Sequence, residues 1–309
     1  MTAVSVRVPA KVNLQLGVGP IRDDGYHDLV NVFHAVSLFD EVTVERAPGL
    51  EVRVQAAPYS RVRVDGVPVD DDNLAVRAAL LVAARLGVEP DVAIRIRKAI
   101  PVAGGMAGGS ADAAAALVAC ARLWDDREQP TLTRDDLMDL GAELGSDVPF
   151  AVLGGTAVGL GRGERLTPAL TRGTFHWVFA TADGGLSTPA VYAECDRIRA
   201  ERGEAAAPPR VSEELMTALA TGDAKALALA LTNDLEPAAL SLRPSLARVL
   251  DAGRELGAAA ALVSGSGPTC AFLAETGEDA ADLAEALDGT GLAEQVLRAD
   301  GPVPGAATL

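Results

Sequence analysis

The chain has 309 residues, 49% of them hydrophobic and 23% charged, and its 27 basic against 43 acidic residues give a net charge of −16. This apolar content excludes a disordered chain, and the excess of acid disfavours nucleic-acid partners, because an acidic chain repels polyanions at long range. The three cysteines and three histidines are scattered without metal-ligand spacing, and no apolar stretch approaches the roughly 18 residues of a membrane span, so we expect a cytoplasmic protein without membrane contact.

Alternating apolar and polar residues predict strands over most of the first hundred residues. Valine, leucine or isoleucine recurs at every second position in six segments: residues 4–8, 12–16, 42–44, 52–54, 62–64 and 92–96. A helix is predicted over residues 74–86, because N-cap candidates at 71–73 precede it and Gly87 is placed to end it.

Helix signals dominate the middle of the chain. After Pro101, a glycine-rich segment from Gly104 to Ser110 leads into a predicted helix over 111–124. Thr133 and Asp136 have the spacing of a capping box, which predicts the start of another helix that ends near residue 145. A strand is then predicted over 156–160.

The second half begins with a predicted strand over 175–180 and a helix opened by Ser187-Thr188-Pro189, with proline in its first turn. A surface linker at 205–209 precedes helices over 212–220, 224–231 and 244–256. Strands over 259–263 and 270–273 flank a second glycine loop, and one more helix and strand complete the pattern. We predict an α+β fold with two domains, residues 1–165 and 166–299, joined within 161–174 and followed by a flexible tail at 300–309. A single large domain is the alternative.

The glycine-rich segment at 101–114 is a candidate phosphate site. Glycines let backbone N–H groups approach an oxyanion closely, and the start of a helix adds unpaired N–H donors and a partial positive charge. Such a cradle needs no lysine, which suits an acidic chain. It is not a Walker A loop, since no Gly-Lys-Ser/Thr follows, and Met106 or Ala107 breaks the dinucleotide fingerprint. The alternative is a tight strand-to-helix turn without a ligand.

The second glycine loop, from Gly265 to Thr269, lies between two apolar strands and could close over an anionic substrate as a backbone nest. It fails as a dinucleotide loop, because a strand follows it instead of a helix. A structural turn remains equally compatible with this pattern.

Two charged residues are candidates for chemistry. Only Lys11, Lys98 and Lys225 among the 27 basic residues are lysines, so Lys11 on a strand favours a site that needs a compact charge, with Asn13 on the same face. Its alternative is a solvated strand edge. Asp147 precedes the apolar Val148-Pro149-Phe150, which indicates a partly desolvated carboxylate; a helix cap is the competing interpretation. The turn at 23–27 presents an aromatic and an imidazole, or is an ordinary exposed loop.

Three segments together resemble the GHMP kinases, the superfamily of galactokinase, homoserine kinase, mevalonate kinase and phosphomevalonate kinase. They are Pro9-Ala10-Lys11-Val12-Asn13-Leu14, the segment from Pro101 to Ala113, and Ser264-Gly265-Ser266-Gly267-Pro268-Thr269. Their order and separation cover nearly the whole chain. One departure is that the superfamily's Gly-Leu-Gly-Ser-Ser is replaced by residues 106–110, Met-Ala-Gly-Gly-Ser, so Ala107 has less backbone freedom and a single serine is left for metal placement.

The resemblance implies a fold and an activity. The fold would have an N-terminal domain with a left-handed β-α-β arrangement, like that of a ribosomal protein, and a ferredoxin-like C-terminal domain, with the substrates in the cleft between them. Further stretches at 11–16, 24–29, 72–74, 145–150 and 187–189 are similar to the branch of the superfamily that acts in the non-mevalonate route to isoprenoids. That branch phosphorylates the 2-hydroxyl of a cytidine-diphosphate methylerythritol from ATP with Mg²⁺. A monomer or weak homodimer is expected.

The resemblance also implies a role for individual residues. Asp147 looks like the base for the hydroxyl proton and Lys11 like its partner. The implied ATP contacts are Asn73, Pro101, Val102, Ala103, Gly104, Gly105, Met106, Ala107, Gly108, Gly109, Ser110 and Ala111, with Ser110 also placing Mg²⁺. The implied substrate contacts are Asn13, Tyr26, His27, Thr188, Tyr192, Gly265, Ser266 and Gly267. Tyr26 would stack on cytosine, His27 would bind its polar edge, and Thr188 with Tyr192, often phenylalanine in the family, would form the opposite wall.

Two rival functions remain open at this point. One keeps phosphoryl transfer but uses a small uncharged alcohol as the acceptor, and the aromatic turn at Tyr26 and His27 speaks against it. The other is a nucleotide sensor that binds ATP without turnover, which intact Lys11 and Asp147 disfavour. A pure scaffold would leave two glycine loops without a ligand.

Overall fold

Two β-sheets and ten helices make up the described part of the chain, which in this computed structural model comprises residues 3–58, 60–102, 104–125, 131–204 and 206–309. The strands are β1 (Val4–Ile21), β2 (His27–Arg46), β3 (Leu50–Ala56), β4 (Val92–Lys98), β5 (Thr156–Gly161), β6 (Arg165–Pro168), β7 (Phe175–Thr181), β8 (Thr232–Asn233), β9 (Ala260–Val263), β10 (Cys270–Ala274), β11 (Gln295–Gly301) and β12 (Ala307–Thr308). The helices are α1 (Leu74–Leu86), α2 (Gly108–Trp124), α3 (Arg134–Leu144), α4 (Val148–Leu153), α5 (Thr188–Arg202), α6 (Glu213–Thr221), α7 (Ala224–Ala230), α8 (Glu236–Leu242), α9 (Ser245–Glu255) and α10 (Gly277–Gly289).

The larger sheet is built around one long antiparallel pair. Strands β1 and β2 have 18 and 20 residues, and the sheet runs β12-β1-β2-β4-β3, with β5 on β2 and β6 on β5. The two strands predicted at 4–8 and 12–16 are therefore one strand, in which the register shifts at Pro9/Ala10 and again after Asn13. Such irregularities bend a strand without ending it. Strand β3 joins parallel β4 through α1, as a β-α-β unit.

Local capping signals set the helix boundaries in this half. Asn73 caps α1 by accepting a hydrogen bond from the Ala75 backbone N–H, and Gly87 ends it in the left-handed region at φ +68°. The predicted capping box between Thr133 and Asp136 is present at the start of α3. Helix α2 is buried along most of its length, and most of its buried side chains are alanines. Because these side chains are small, the helix lies close against the sheet. Its N-terminus thereby has a fixed position beside β1.

The smaller sheet has the ferredoxin-like order. Its strands run β11-β7-β10-β9, all antiparallel, and follow one another along the chain as β7, β9, β10 and β11. The inner faces of β7 and β10 are fully buried, and the core continues from them under the larger sheet. None of the helices in the described ranges is long and apolar enough to cross a membrane.

Two predictions about local structure were wrong. Residues 61–64 form no strand. Their alternating valines lie in irregular backbone, with Pro58 before them and Gly66 and Pro68 after them, and no neighbouring strand pairs with this segment. The tail at 300–309 is not loose: Thr308 and Ala307 pair with Val6 and Arg7 in β1.

Backbone hydrogen bonds also secure the rest of the tail. Val303 N donates to Ala35 O at 3.2 Å, and Val303 O accepts from Gly155 N at 2.7 Å. Ala306 N donates to Ala151 O and Leu309 N to Ser5 O, both at 2.9 Å. The open edge of β1 and the buried polar backbone beside it supply the partners that hold this segment. The division into two domains stays a prediction; its boundary at 165/166 falls within β6, which pairs with β5.

Candidate active site

Parts of both halves of the chain line a cavity of about 760 Å³. Strands β1 and β2, the turn between them, the N-terminus of α2, the residues before α4, the β5–β6 turn and the start of α5 all contribute to its wall. The second glycine loop completes the wall. This volume lies in the range of small-molecule sites, which are typically 300–1,000 Å³.

Lys11 and Asp147 meet on this wall. The Lys11 Nζ lies 3.8 Å from Asp147 Oδ2 and donates a 2.6 Å hydrogen bond to Asn13 Oδ1. Asn13 in turn donates to Asn31 Oδ1 at 2.7 Å. Burial lowers the pKa of Lys11, and the nearby Asp147 carboxylate offsets part of that shift. The ammonium therefore has a fixed direction and an acidic neighbour.

Neither structural alternative accounts for these two side chains, although Asp147 is the N-cap residue of α4. Lys11 is 6% exposed and lies in the interior of β1, so it is not at a solvated edge. Asp147 precedes α4 but makes no cap hydrogen bond with its side chain, which leaves its carboxylate, 32% exposed, available to a ligand in the cavity.

The two glycine loops interlock beside Lys11. Gly105 has φ +75°, and a Cβ there would come within 2.2 Å of the Ser264 carbonyl oxygen, so only glycine fits. The Ser264 hydroxyl donates to Gly105 O at 3.2 Å. A Cβ on Gly265 would lie 3.2 Å from Lys11 Nζ. The second loop thus closes the cavity over Lys11.

The departure at Ala107 does not prevent the loop from forming. Ala107 takes the left-handed conformation at φ +61° and is the one non-glycine residue with positive φ in the described ranges. It precedes the first residue of α2, so the free N–H groups of the first turn follow it directly. Alanine pays about 1 kcal/mol or more for this conformation, which the surrounding contacts offset.

Packing does not account for the glycine at position 109, because the space beside it is open. A Cβ on Gly104 would meet Thr269 Oγ1 at 2.9 Å, whereas the nearest atom to a Cβ on Gly109 is Leu74 Cδ1 at 3.8 Å. Gly109 lines the cavity within the first turn of α2. The room beside its backbone is the room that a phosphate group would need.

Replacement of Gly109 with alanine is therefore expected to raise the KM for ATP about tenfold, roughly 1.4 kcal/mol of lost binding. The free energy of unfolding should stay the same or rise by up to about 1 kcal/mol, because alanine favours a helix more than glycine does. Initial rates at varied ATP and urea unfolding measure the two effects. Gly289→Ala is the matched control, because Gly289 lies at the end of α10 and a Cβ there would have nothing within 4 Å. An unchanged KM for ATP in Gly109→Ala would contradict the cradle.

A buried ion cluster holds the glycine loop from behind. Lys98 Nζ lies 2.5 Å from Asp40 Oδ2 and 2.7 Å from Asp112 Oδ2, and it donates to the carbonyl of Gly108 at 3.2 Å. Asp40 Oδ1 accepts from the N–H groups of Ala99 and Ile100 at 2.6 and 2.8 Å. The cluster therefore ties down the chain on both sides of the loop.

The charges in this cluster depend on each other. Burial lowers the pKa of Lys98, but Asp112 and Asp40 more than offset it, so the net shift is upward. Burial raises the pKa of Asp112 well above its usual range, and Asp40 adds to that shift against the effect of Lys98. Sequence reasoning noted Lys98 only as one of three lysines, since nothing local to it announces a partner 58 residues away.

The other end of the cavity is aromatic. His27 is buried and stacks on Tyr192 with ring centroids 5.3 Å apart, while its Nε2 lies 3.1 Å from Asp196 Oδ1. Tyr26, 55% exposed, faces the guanidinium of Arg162 at 5.2 Å from its ring centroid. Burial raises the pKa of the Tyr192 hydroxyl, and Asp147 adds to that shift. Thr188 and Ser266 bridge α5 and the second loop through a 2.9 Å hydroxyl contact.

The cavity brings together most of the predicted site residues. All the predicted substrate contacts line it: Asn13, Tyr26, His27, Thr188, Tyr192, Gly265, Ser266 and Gly267. Of the predicted ATP contacts, Gly104, Gly105, Ala107, Gly108, Gly109 and Ser110 line it. Their roles remain predictions.

Five predicted ATP contacts lie off the cavity wall: Asn73, Pro101, Val102, Met106 and Ala111. The Asn73 amide is engaged in capping α1 and in a 2.7 Å hydrogen bond to Pro68 O, and Met106 is a buried core residue. Ala103 lies outside the described residues. Their contact with a nucleotide stays a prediction.

Three polar residues on the wall escaped the sequence analysis. Asn31 faces Asn13 across β1 and β2, Asp196 follows Tyr192 by one helical turn, and Arg162 stands between two glycines in the β5–β6 turn. The helical spacing from Tyr192 and the Gly-Arg-Gly pattern were available signals. Neither points to a cavity until the chain has folded.

Comparison with known proteins identifies the family of this chain. The family model for the GHMP kinases N terminal domain matches residues 73–155, and that for GHMP kinases C terminal matches residues 215–291. The 4-diphosphocytidyl-2-C-methyl-D-erythritol kinases of Thermobifida fusca and Streptomyces avermitilis are 57% and 56% identical to this chain, covering 100% and 99% of it and 99% and 100% of their own lengths. A crystal structure of 4-(cytidine 5'-diphospho)-2C-methyl-D-erythritol kinase matches with a TM-score of 0.75 and 35% identity over 96% of this chain and 98% of that one.

The similarity spans both sheets, both glycine loops and the residues that surround Lys11 and Asp147. Solved homoserine and mevalonate kinases share the fold at 18% and 17% identity, with TM-scores of 0.71 and 0.73. Identity is thus much higher to one branch than to these other kinases. The chain belongs to the 4-diphosphocytidyl-2-C-methyl-D-erythritol kinases of the GHMP kinase family.

Proposed function

We propose that this chain transfers the γ-phosphoryl group of ATP to the 2-hydroxyl of 4-(cytidine 5′-diphospho)-2-C-methyl-D-erythritol. The observation that carries the proposal is the Lys11–Asp147 pair, 3.8 Å apart, in the same cavity as the glycine-lined N-terminus of α2. A carboxylate, a buried ammonium and a helix N-terminus are the parts that phosphoryl transfer to an alcohol needs, because that reaction depends mainly on positioning and charge stabilisation.

In this mechanism Asp147 accepts the proton of the substrate 2-hydroxyl, and the oxygen of that hydroxyl bonds to the γ-phosphorus. The bond from that phosphorus to the β,γ-bridging oxygen breaks, and ADP leaves with the electron pair. Lys11, held by Asn13, orients the carboxylate and stabilises the negative charge that develops on the attacking oxygen. The free N–H groups at the start of α2 bind the phosphate oxygens of the nucleotide.

A bound Mg²⁺ would neutralise negative charge on the nucleotide phosphates. The described residues contain no group of three or more His, Cys, Asp or Glu side chains that could hold a metal ion by themselves. This donor set fits an ion that arrives with the nucleotide and takes only one or two protein ligands. We assign the Ser110 hydroxyl, in the first turn of α2 on the cavity wall, as its protein ligand.

The aromatic end of the cavity suits a cytosine ring. Tyr26 and Tyr192 present aromatic faces, and His27 lies beside them. If the neutral imidazole of His27 donates its Nε2 proton to Asp196, its Nδ1 is left as an acceptor for the exocyclic amine of cytosine. The base would then be selected by hydrogen bonding and held by stacking.

The test is ADP release by the purified protein with 4-(cytidine 5′-diphospho)-2-C-methyl-D-erythritol, compared with homoserine and mevalonate. Turnover is expected with the cytidine substrate and not with homoserine or mevalonate. Replacing both Tyr26 and His27 with alanine should raise the KM for that substrate at least tenfold, by about 1.4 kcal/mol or more, with a smaller change in the KM for ATP. Turnover on the small alcohols, with no activity on the cytidine substrate, would reassign the acceptor.

We further infer a cytoplasmic enzyme that works as a monomer or weak homodimer. Cys120, Cys195 and Cys270 are free and buried, which is typical of proteins from a reducing compartment. Sedimentation equilibrium across a range of protein concentrations measures the assembly state.

A further inference from the structure

The β5–β6 turn holds Arg162 in a defined position on the cavity wall. Gly161 and Gly163 on either side have φ +76° and +105°, and Gly163 N–H donates to Leu160 O at 3.1 Å. The Arg162 backbone N–H donates to Glu164 Oε2 at 2.7 Å, so the carboxylate nearest in sequence is engaged by the backbone of the turn. The guanidinium of Arg162 therefore remains available to a ligand in the cavity.

This turn contacts both ends of the cavity. At one end, the Arg162 guanidinium carbon lies 5.2 Å from the centre of the Tyr26 ring. At the other, a Cβ built on Gly163 would lie 4.0 Å from the Cβ of Ser146, the residue before Asp147. The Arg162 side chain therefore lies on the cavity wall at the aromatic end, and the backbone of its turn passes close to the residue before Asp147.

Arg162 also differs from Lys11 in its partners. These two are the lysine and arginine side chains among the described residues of the wall. Lys11 is already engaged by Asn13 and Asp147. In the described part of the chain the Arg162 guanidinium has the Tyr26 ring as its contact and no carboxylate partner. A half-buried guanidinium without a counterion favours an anion in the space that it faces.

We infer that Arg162 binds the diphosphate of the acceptor substrate and is a specificity-determining residue for it. This inference rests on the proposed function. A substrate with its base beside Tyr26 and its reacting hydroxyl beside Asp147 must span the wall between them with the diphosphate that joins its two ends. The planar guanidinium can donate two parallel hydrogen bonds to phosphate oxygens, which a lysine cannot match. Lys11 is already paired, so Arg162 supplies the positive charge on this wall that is free to meet a diphosphate.

The experiment compares cytidine with CDP as ligands of the protein saturated with a non-hydrolysable ATP analogue. Wild-type protein is expected to bind CDP more tightly than cytidine. Arg162→Gln should weaken CDP binding by roughly 10- to 100-fold and leave cytidine binding within about threefold, because one charge-assisted contact is lost. Arg162→Lys should restore part of the difference. Arg165→Gln, an exposed arginine of the same hairpin, is the matched control and should change neither affinity.

Three outcomes would overturn the inference. Equal losses for cytidine and CDP would mean that Arg162 only packs on Tyr26. A loss confined to the ATP analogue would place the guanidinium on the nucleotide phosphates. An unchanged CDP affinity would remove the residue from the site. If the wild-type protein fails to turn over the cytidine substrate while Arg162→Gln still loses the preference for CDP, the proposed function fails and the diphosphate contact stands.

Discussion

Replacing Asp147 with asparagine is expected to lower kcat by about 10²- to 10⁴-fold, the usual contribution of a general base. Asparagine keeps the shape of the side chain but cannot accept the hydroxyl proton. Affinity for ATP should change only a few-fold, because the phosphate cradle at the start of α2 is untouched. The fold should persist, since the Asp147 side chain makes no cap hydrogen bond and is partly exposed.

Steady-state kinetics gives kcat, and a titration with a non-hydrolysable analogue gives the affinity for nucleotide. Asp139→Asn, the same replacement at an exposed position of α3, controls for the loss of one negative charge. If Asp147→Asn keeps more than about a tenth of wild-type kcat, Asp147 is not the base, because that loss corresponds to only about 1.4 kcal/mol of barrier.

Lys98→Met should lower the free energy of unfolding by about 3–5 kcal/mol, the largest effect on stability that we expect. Lys98 is fully surrounded by the two carboxylates of Asp40 and Asp112 and the carbonyl of Gly108. Removing the ammonium leaves two buried acids facing each other without a counterion. Because the same contacts tie down the glycine loop, the variant should also bind ATP less tightly.

Urea unfolding measures the loss of stability. Lys225→Met is the control: Lys225 pairs with Glu275 at 3.2 Å, but its side chain is 74% exposed, so its loss should cost no more than about 1 kcal/mol. Adding Asp112→Asn to Lys98→Met should recover part of the loss, since one fewer acid is then buried. A cost below about 1 kcal/mol in Lys98→Met would show that the cluster contributes little to the fold.

Much of this protein follows from interactions between residues close in sequence. The helix over Leu74–Leu86, with Asn73 before it and Gly87 after it, and the capping box between Thr133 and Asp136 are confirmed. Such caps act within one helical turn, so the sequence carries them in full. The same holds for the strand-glycine-helix pattern at α2, whose conformation depends on glycine freedom near Gly105. The resemblance to GHMP kinases then related Lys11 and Asp147, which no local pattern joins.

Only the tertiary structure decided which distant residues contact these local elements. Lys98 finds Asp40 across 58 positions, His27 finds Asp196 across 169, and the tail pairs with β1 from the other end of the chain. The valines at 62–64 alternate like a strand but find no partner strand, so the pattern alone was not enough. Period, caps and backbone freedom are properties of neighbouring residues, whereas burial and charge pairing depend on which distant segments share the same space. The placement of Arg162 on the cavity wall beside Tyr26 belongs to the second kind.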